Sequence, residues 1–324
     1  MPEIVMPTAY AISLSDVRAA ARRIAGVAHK TPIMTCATLD HLAGRRLYFK
    51  CEQWQKVGAF KFRGAYNAVM KLTDAEARRG VVTHSSGNHA QALALAARLR
   101  GIPAHIVMPS SATPVKKRAV EGYGANVIEC APTLAAREVA VAEVQERTGA
   151  ILIPPYNHAD VIAGQGTVAL EMLEEIADLD AIVAPIGGGG LMAGVTLAAR
   201  ALKPAIRLFA AEPLGADDAA RSKAAGALVP QTAPNTIADG LLTSMGELTW
   251  PVVRDLVEAV VTVKEEEIVQ AMRLTWERAK LLIEPSSAVT VAAVLTPGFR
   301  GLPGLAKVGV VLSGGNVNLD RLPW

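Results

Sequence analysis

Apolar residues at Val17, Ala20, Ile24 and Val27 repeat at helical spacing. Ser15 or Asp16 caps the run and Thr31-Pro32 stops it, so the first predicted element is an amphipathic helix. Leu47 to Cys51 reads as a short strand and Phe62 to Met70 as a helix, which leaves Lys61 at a strand-to-helix passage near a positive helix end. From Gly80, strands are predicted at 81–83, 104–108, 126–129 and 151–153, and helices at 90–99, 114–123 and 134–147. A polar turn, Ser85-Ser86-Gly87-Asn88-His89, interrupts them. The second half repeats the alternation, with helices at 161–175, 191–202 and 265–282 and strands at 181–185, 207–211, 256–263 and 308–312. This order predicts an α/β fold of two open-sheet lobes. Residues 74–154 form a small lobe inserted into a large one built from 1–73 and 155–324.

Composition narrows the function. Hydrophobic residues are 51% of the 324, yet aromatics are only 4%, which suits close-packed α/β layers better than a base-stacking surface. Net charge is +3 with both signs scattered, and Lys116-Lys117-Arg118 is the densest basic block, so no nucleic-acid partner is expected. Cys36, Cys51 and Cys130 are too few and too dispersed for a disulfide framework or a zinc site. Met1-Pro2-Glu3-Ile4 does not begin a signal peptide. Ala181 to Ala199 has membrane-span length but contains Pro185, four consecutive glycines and Gly194, and reads as strand, loop and helix. A cytoplasmic protein without a membrane partner is expected.

Four stretches carry chemistry. In Ala59-Phe60-Lys61-Phe62-Arg63-Gly64 the lysine is wedged among apolar neighbours. Burial disfavours its ammonium form and frees an amine able to form a Schiff base with an aldehyde cofactor; the plainer reading is a surface lysine with its stem on a core. Gly187-Gly188-Gly189-Gly190 follows a strand and opens a helix, so its bare N–H groups can bind a phosphate. Gly187 to Gly194, with Glu212 about 20 residues on, equally fits a dinucleotide fingerprint and an NAD(P)-dependent oxidoreductase, or a tight structural turn. Ser85 to His89 offers donors for a substrate carboxylate, or simply a helix cap. Ser313-Gly314-Gly315-Asn316 sets a hydroxyl at the end of an apolar strand, facing a crevice or merely turning the chain. Glu212, Asp217 and Asp218 provide oxygen ligands for Mg²⁺, Mn²⁺ or Ca²⁺, or a solvated acidic loop. His84, His89 and His158 lack metal-ligand spacing and read as polar turn residues.

Together these motifs, in this order, resemble the fold-type II pyridoxal-phosphate enzymes, the tryptophan synthase β-subunit-like kind. Within them the chain looks most like the branch of serine/threonine dehydratases and eukaryotic-type serine racemases. The likeness runs from Thr31-Pro32 to the C-terminus and includes Ile162-Ala163-Gly164-Gln165-Gly166-Thr167, Thr236 to Gly240 and Trp276 to Pro285. No regulatory domain of the kind found in longer threonine dehydratases is expected after residue 324.

The resemblance implies pyridoxal 5'-phosphate in the cleft between the lobes. Lys61 carries it and takes the α-proton from one face, Phe60 packs on the ring, Asn88 meets its hydroxyl, and Gly187 to Gly190 hold the phosphate. Gly240 and Glu284 line the same place. Ser313 meets the pyridine nitrogen, and a neutral hydroxyl there makes the ring a weaker electron sink, which fits β-elimination. Ser85, Ser86, Gly87, Asn88 and His89 hold the substrate carboxylate, with Arg137 assisting, and Ser86 moves a proton on the face opposite Lys61. Glu212, the Ala216 carbonyl and Asp218 form a divalent-cation site, which removes Glu212 from the dinucleotide reading. Lys56, Gln91, Tyr123, Lys280 and Asn316 fall where some racemases bind ATP or another nucleotide at a subunit interface, implying a homodimer. Tyr156 departs from the animal racemases towards the dehydratases. The implied activity is ammonia release from serine or threonine with serine racemisation, and 3-hydroxyaspartate dehydration is the neighbouring alternative.

Overall fold

Apolar residues along the central strands feed two separate cores in alternation, and that period of two explains why helices cover both faces of each sheet. The structure, a computed structural model, describes residues 10–112 and 114–324; the reading of Met1 to Ile4 and the first nine residues of the expected large lobe lie outside them.

The chain opens with α1 (Leu14–Ile24), β1 (Ile33–Met34), α2 (Ala37–Ala43) and β2 (Arg46–Cys51). Ser13 caps α1, its N–H donating to Asp16 Oδ2 at 2.8 Å, so the helix starts two residues earlier than a Ser15 cap would set it. The helix ends at Ile24, not at Thr31-Pro32, because Gly26 turns the chain with φ 74°. Next come α3 (Lys61–Lys71), α4 (Asp74–Arg79), β3 (Val81–His84), α5 (Asn88–Arg100), β4 (Ala104–Pro109), α6 (Pro114–Gly122), β5 (Asn126–Cys130), α7 (Leu134–Thr148) and β6 (Ile151–Leu152). The chain continues through α8 (Ala159–Glu175), β7 (Ala181–Pro185), α9 (Gly190–Leu202), β8 (Arg207–Pro213), α10 (Asp218–Ala225), α11 (Trp250–Leu256) and β9 (Ala259–Val263). It closes with α12 (Glu265–Leu274), α13 (Pro285–Leu295), α14 (Pro297–Arg300) and β10 (Lys307–Leu312).

Two expectations at the C-terminal end change. The strand expected from Leu256 begins at Ala259, because Pro251 starts α11 inside the same apolar run. The helix expected to Leu282 stops at Leu274, passes through a wide turn at Thr275–Ala279 and leaves through Lys280 at φ 59°. The Trp276 indole N–H donates to the Ile283 carbonyl at 3.0 Å, folding the chain back on itself.

Six strands form one sheet in the order β1-β2-β10-β7-β8-β9, parallel except for β1. Four parallel strands form the other, β5-β4-β3-β6. Ile182 and Ala184 enter the core under α1, α8 and α9, while Ala181 and Val183 enter the one under α2, α12 and α13. In the smaller sheet Val81 and Ile106 face α5, and Val82 and Val107 face α7. Helix α3 packs on both α5 and α8, so it is the element the two sheets share.

Two features fix α3. Its Gly64 meets Gly164 of α8 so closely that a Cβ on Gly164 would lie 2.5 Å from Gly64 Cα. The second is charge. The fully buried Arg63 donates to both oxygens of Glu52, at 2.7 and 2.8 Å, and to both of Glu171, at 2.6 and 2.8 Å. Lys50, equally buried, donates to Glu171 at 2.6 Å and to the Thr31 carbonyl at 2.5 Å. Burial alone would raise Glu52, but the Arg63 guanidinium overrides it and holds the carboxyl below its ordinary value.

Gly164→Ala is expected to push α3 away from α8 and destabilise the protein by about 1–3 kcal/mol in urea unfolding. Gly298→Ala, where a Cβ meets nothing within 4 Å, is expected to leave the midpoint unchanged or slightly raised.

Candidate active site

Lys61 is the first residue of α3, and its Nζ donates to the Pro155 carbonyl at 2.7 Å. Although the residue as a whole is only partly buried, desolvation lowers its pKa to about 8, with Glu284 opposing the shift. The amine stands 5.1 Å from the centre of the Phe60 ring. The loop ahead of it is stitched to the end of β10: the Phe60 N–H donates to the Ser313 carbonyl at 3.0 Å, and Ala59 bridges Gly314. The first and last segments of the chain therefore meet at the lysine. Ser313 is 3% exposed, and its hydroxyl has no hydrogen-bond partner among the described residues.

Gly187 to Gly190 connect β7 to α9, all four buried, with Gly189 at φ 86°. The N–H groups of Gly188, Gly189, Gly190 and Leu191 have no acceptor among the described residues. Buried donors at a helix N-terminus that pair with nothing in the protein suit a phosphate. The space is kept by the lack of side chains: a Cβ on Gly188 would fall 2.2 Å from the Tyr156 ring, and one on Gly187 3.0 Å from Leu241 Cα. The site therefore fits pyridoxal phosphate, with a phosphate cradle on one side and a reactive amine on the other. Thr249, which no motif marks, puts its hydroxyl 2.8 Å from the Gly188 carbonyl and orients the loop.

Across the cleft, Ser85 to Asn88 leave the end of β3, and the Gly87 N–H donates to Ser85 Oγ at 3.3 Å. Ser86 is half-buried and its hydroxyl bonds to nothing among the described residues. Asn88 Nδ2 donates to Glu284 Oε1 at 2.9 Å, and its Oδ1 accepts from Asn316 Nδ2 at 2.8 Å. Burial, then Asp239, pushes Glu284 up to about 8 against the Asn88 and Asn316 N–H donors. Gly240 is held by Ser286 Oγ at 2.9 Å, and the neighbouring Asp239 pairs with Lys116 of α6 at 2.7 Å, spanning from one sheet's helices to the other's.

The His89 ring does not face this cleft. It is 2% exposed and turned into the protein, with Nε2 2.9 Å from the Ile153 carbonyl, so only its backbone belongs to the polar turn after β3. Arg137 projects from α7 near His84, whose pKa burial and then Arg137 lower; Arg137 Nε is buried without a partner. Pro155 and Thr249 are the contributors that motif reading misses. The adjacent prolines were the available signal for the first, and the second leaves none.

Glu212 does not face the glycine loop as a dinucleotide partner would. Its oxygens accept from the N–H groups of Ala219 and Ala220, both at 3.0 Å. Burial raises Glu212 to about 8 and, separately, Asp218 to about 6. Asp218 Oδ2 accepts from the Met245 N–H at 2.9 Å, while its buried Oδ1 has no partner. Two desolvated carboxylates with a bare oxygen fit a divalent cation, although no cluster of three His, Cys, Asp or Glu exists among the described residues. Of the residues expected around a nucleotide, Lys56, Gln91 and Asn316 lie on neighbouring segments, since α5 packs on the 56–58 turn and Asn316 Nδ2 bonds the Val57 carbonyl at 2.7 Å. Tyr123 and Val57 pack on one core. No helix among the described residues is long and apolar enough to cross a membrane.

Residues 24–314 match the family described as pyridoxal-phosphate dependent enzyme. The chain is 53% identical to a serine racemase of Arabidopsis thaliana, over 97% of this chain and 96% of that one. It is 49% identical to a beta-hydroxyaspartate dehydratase of Paracoccus denitrificans, over 97% and 99%. The structure of maize serine racemase superposes with a TM-score of 0.95 at 50% identity, covering 96% of this chain and 95% of that one.

The lowered pKa of Lys61 sets a direction for stability. A folded pKa near 8 against an ordinary 10.5 means the unfolded chain binds the proton more tightly between those values, so this group makes cofactor-free protein more stable as pH rises through that window. Lys61→Met is expected to remove that rise, read from the difference between wild-type and variant denaturation midpoints at pH values across it.

Proposed function

The chain belongs to the pyridoxal-phosphate dependent enzymes, and we propose that it is a dehydratase releasing ammonia from serine or threonine to give a 2-oxo acid, with serine racemase activity. The observation that carries this is the buried amine of Lys61, held 2.7 Å from a backbone carbonyl and sharing its cleft with a buried glycine loop of unpaired N–H groups.

Pyridoxal phosphate, when bound, supplies an aldehyde for the substrate amine and a ring that spreads the charge left when the Cα proton departs. The protein does the rest. Gly187 to Gly190 would hold its phosphate through their N–H groups, Phe60 would pack on its ring, and Asn88, Gly240 and Glu284 would line the same place. Ser313 offers the ring nitrogen a neutral hydroxyl with no competing partner. Ser85 to His89 receive the substrate carboxylate through hydroxyls and backbone N–H groups, with Arg137 adding charge. Lys61 takes the proton from one face of Cα. Ser86, a hydroxyl free of other bonds, exchanges it on the other.

The two sheets are read as lobes of 1–73 with 155–324 and of 74–154, closing over this cleft. Glu212, the Ala216 carbonyl and Asp218 are proposed to hold Mg²⁺, Mn²⁺ or Ca²⁺, stabilising the turn into α10 by neutralising two buried carboxylates. A homodimer in the cytoplasm, with a nucleotide near Lys56, Gln91, Tyr123, Lys280 and Asn316, completes the reading. The Paracoccus relative and the unpaired Arg137 Nε favour 3-hydroxyaspartate as a second substrate, since an acidic side chain would engage that cation.

Lys61→Ala is expected to abolish ammonia release and the near-visible absorbance that borohydride bleaches in the wild type. Ser86→Ala is expected to depress racemisation roughly a hundredfold while elimination falls far less, as befits loss of one proton-transfer group. Ammonia and enantiomer assays on serine, threonine and 3-hydroxyaspartate check both, and equal loss of the two activities refutes the role of Ser86. Removing divalent cations with a chelator is expected to lower the melting temperature, and Asp218→Asn to abolish that response.

A further inference from the structure

The segment that carries the Lys61 acceptor is clamped at both ends. The Ile153 N–H donates to the Val82 carbonyl at 2.9 Å, extending β6 beyond Leu152, and the Ile153 carbonyl accepts from His89. A carbonyl only accepts, so Nε2 carries the proton and Nδ1 is a bare lone pair. That Nδ1 is buried without a partner, a costly arrangement that a leucine or phenylalanine of similar bulk would avoid. Two residues on, Pro154 and Pro155 each restrict φ to about −65° and have no N–H to pair elsewhere. Pro155 then presents its carbonyl to Lys61 at 2.7 Å, and Tyr156 sets its ring against Gly188 and its backbone against Gly190.

We propose that His89 is a positioning residue: its imidazole anchors the Ile153 carbonyl and, through the stiff Pro154-Pro155 pair, holds the Pro155 carbonyl where it receives the free amine of Lys61. This rests on Lys61 being the reactive amine. A rigid acceptor gives that amine one resting place whenever it is not covalently engaged. Burial, then the charge of Lys61, and more weakly His84 and His158, hold the ring neutral with a pKa of about 3, so the anchor persists at every working pH. The ionisable group acting on the amine is Glu284, on the segment leading into α13, and its charge opposes the lowering by burial.

The test is the titration of the Lys61 amine in full-length protein stripped of cofactor, read as the pH dependence of its acylation by trace acetic anhydride and quantified by mass spectrometry. Loss of an acceptor for the ammonium form favours the neutral amine, so His89→Leu is expected to lower the apparent pKa by about one pH unit. His89→Gln, whose amide N–H reaches towards the same carbonyl, is expected to restore most of it, a rescue that filling space alone would not give. Pro154→Gly, which frees the backbone and leaves the Pro155 carbonyl in place, is expected to shift it the same way and carries the test if His89→Leu does not fold. Wild-type titration near 8 with His89→Leu or Pro154→Gly unmoved overturns this inference alone. A wild-type Lys61 that is unreactive, or titrates like a surface lysine, overturns the functional reading as well.

Discussion

The buried guanidinium of Arg63 is the constraint on which the rest of the structure depends. Two cations and two carboxylates share one largely buried cluster, and every Arg63 donor to an acid is matched by an oxygen within 2.8 Å. Such clusters add little net stability over well-packed apolar groups, but removing one member leaves a charge that nothing compensates, at about 3–5 kcal/mol. The cluster therefore admits one arrangement. It ties the end of β2, the start of α3 and the middle of α8 together, and Lys61 lies two residues upstream of the guanidinium.

Small residues make the complementary contribution. With aromatics at 4%, the helices approach through glycine and alanine: α8 meets α3 at Gly164 and Gly64, and α9 at Gly166 and Gly194. Close approach leaves little room for side chains in the cleft, so much of the site is main chain. The glycine loop offers unpaired N–H groups, the amine's acceptor is a carbonyl, and the loop before Lys61 is hung on the carbonyl of Ser313.

This explains what could be read beforehand. The order of strands and helices was legible because alternation and turn residues report burial directly, and the glycine loop and Lys61 were legible because they are side-chain anomalies at strand-to-helix passages. Helix α13 was not: from Ser286 to Val294 every residue is buried, so it lacks the polar stripe by which a helix betrays itself. The inward turn of His89 was hidden as well, since a polar residue in a polar turn looks solvated until the Ile153 carbonyl is found beneath it. Thr275–Ala279 widened because Trp276 reaches a long way along the chain for its acceptor. The Pro154-Pro155 pair signals a stiff segment, but not that the second carbonyl would meet the Lys61 amine.

The place of β10 between β2 and β7 has a consequence for biosynthesis. The strand made last among those described sits in the middle of the larger sheet, so a nascent chain on the ribosome carries that sheet as two unjoined halves until residues 307–312 emerge. All four strands of the smaller sheet have left the exit tunnel well before then and can pair on their own. Until β10 emerges, β2 and β7 each present an unpaired edge, so the larger sheet closes later than the smaller one, whose strands all precede it in the chain.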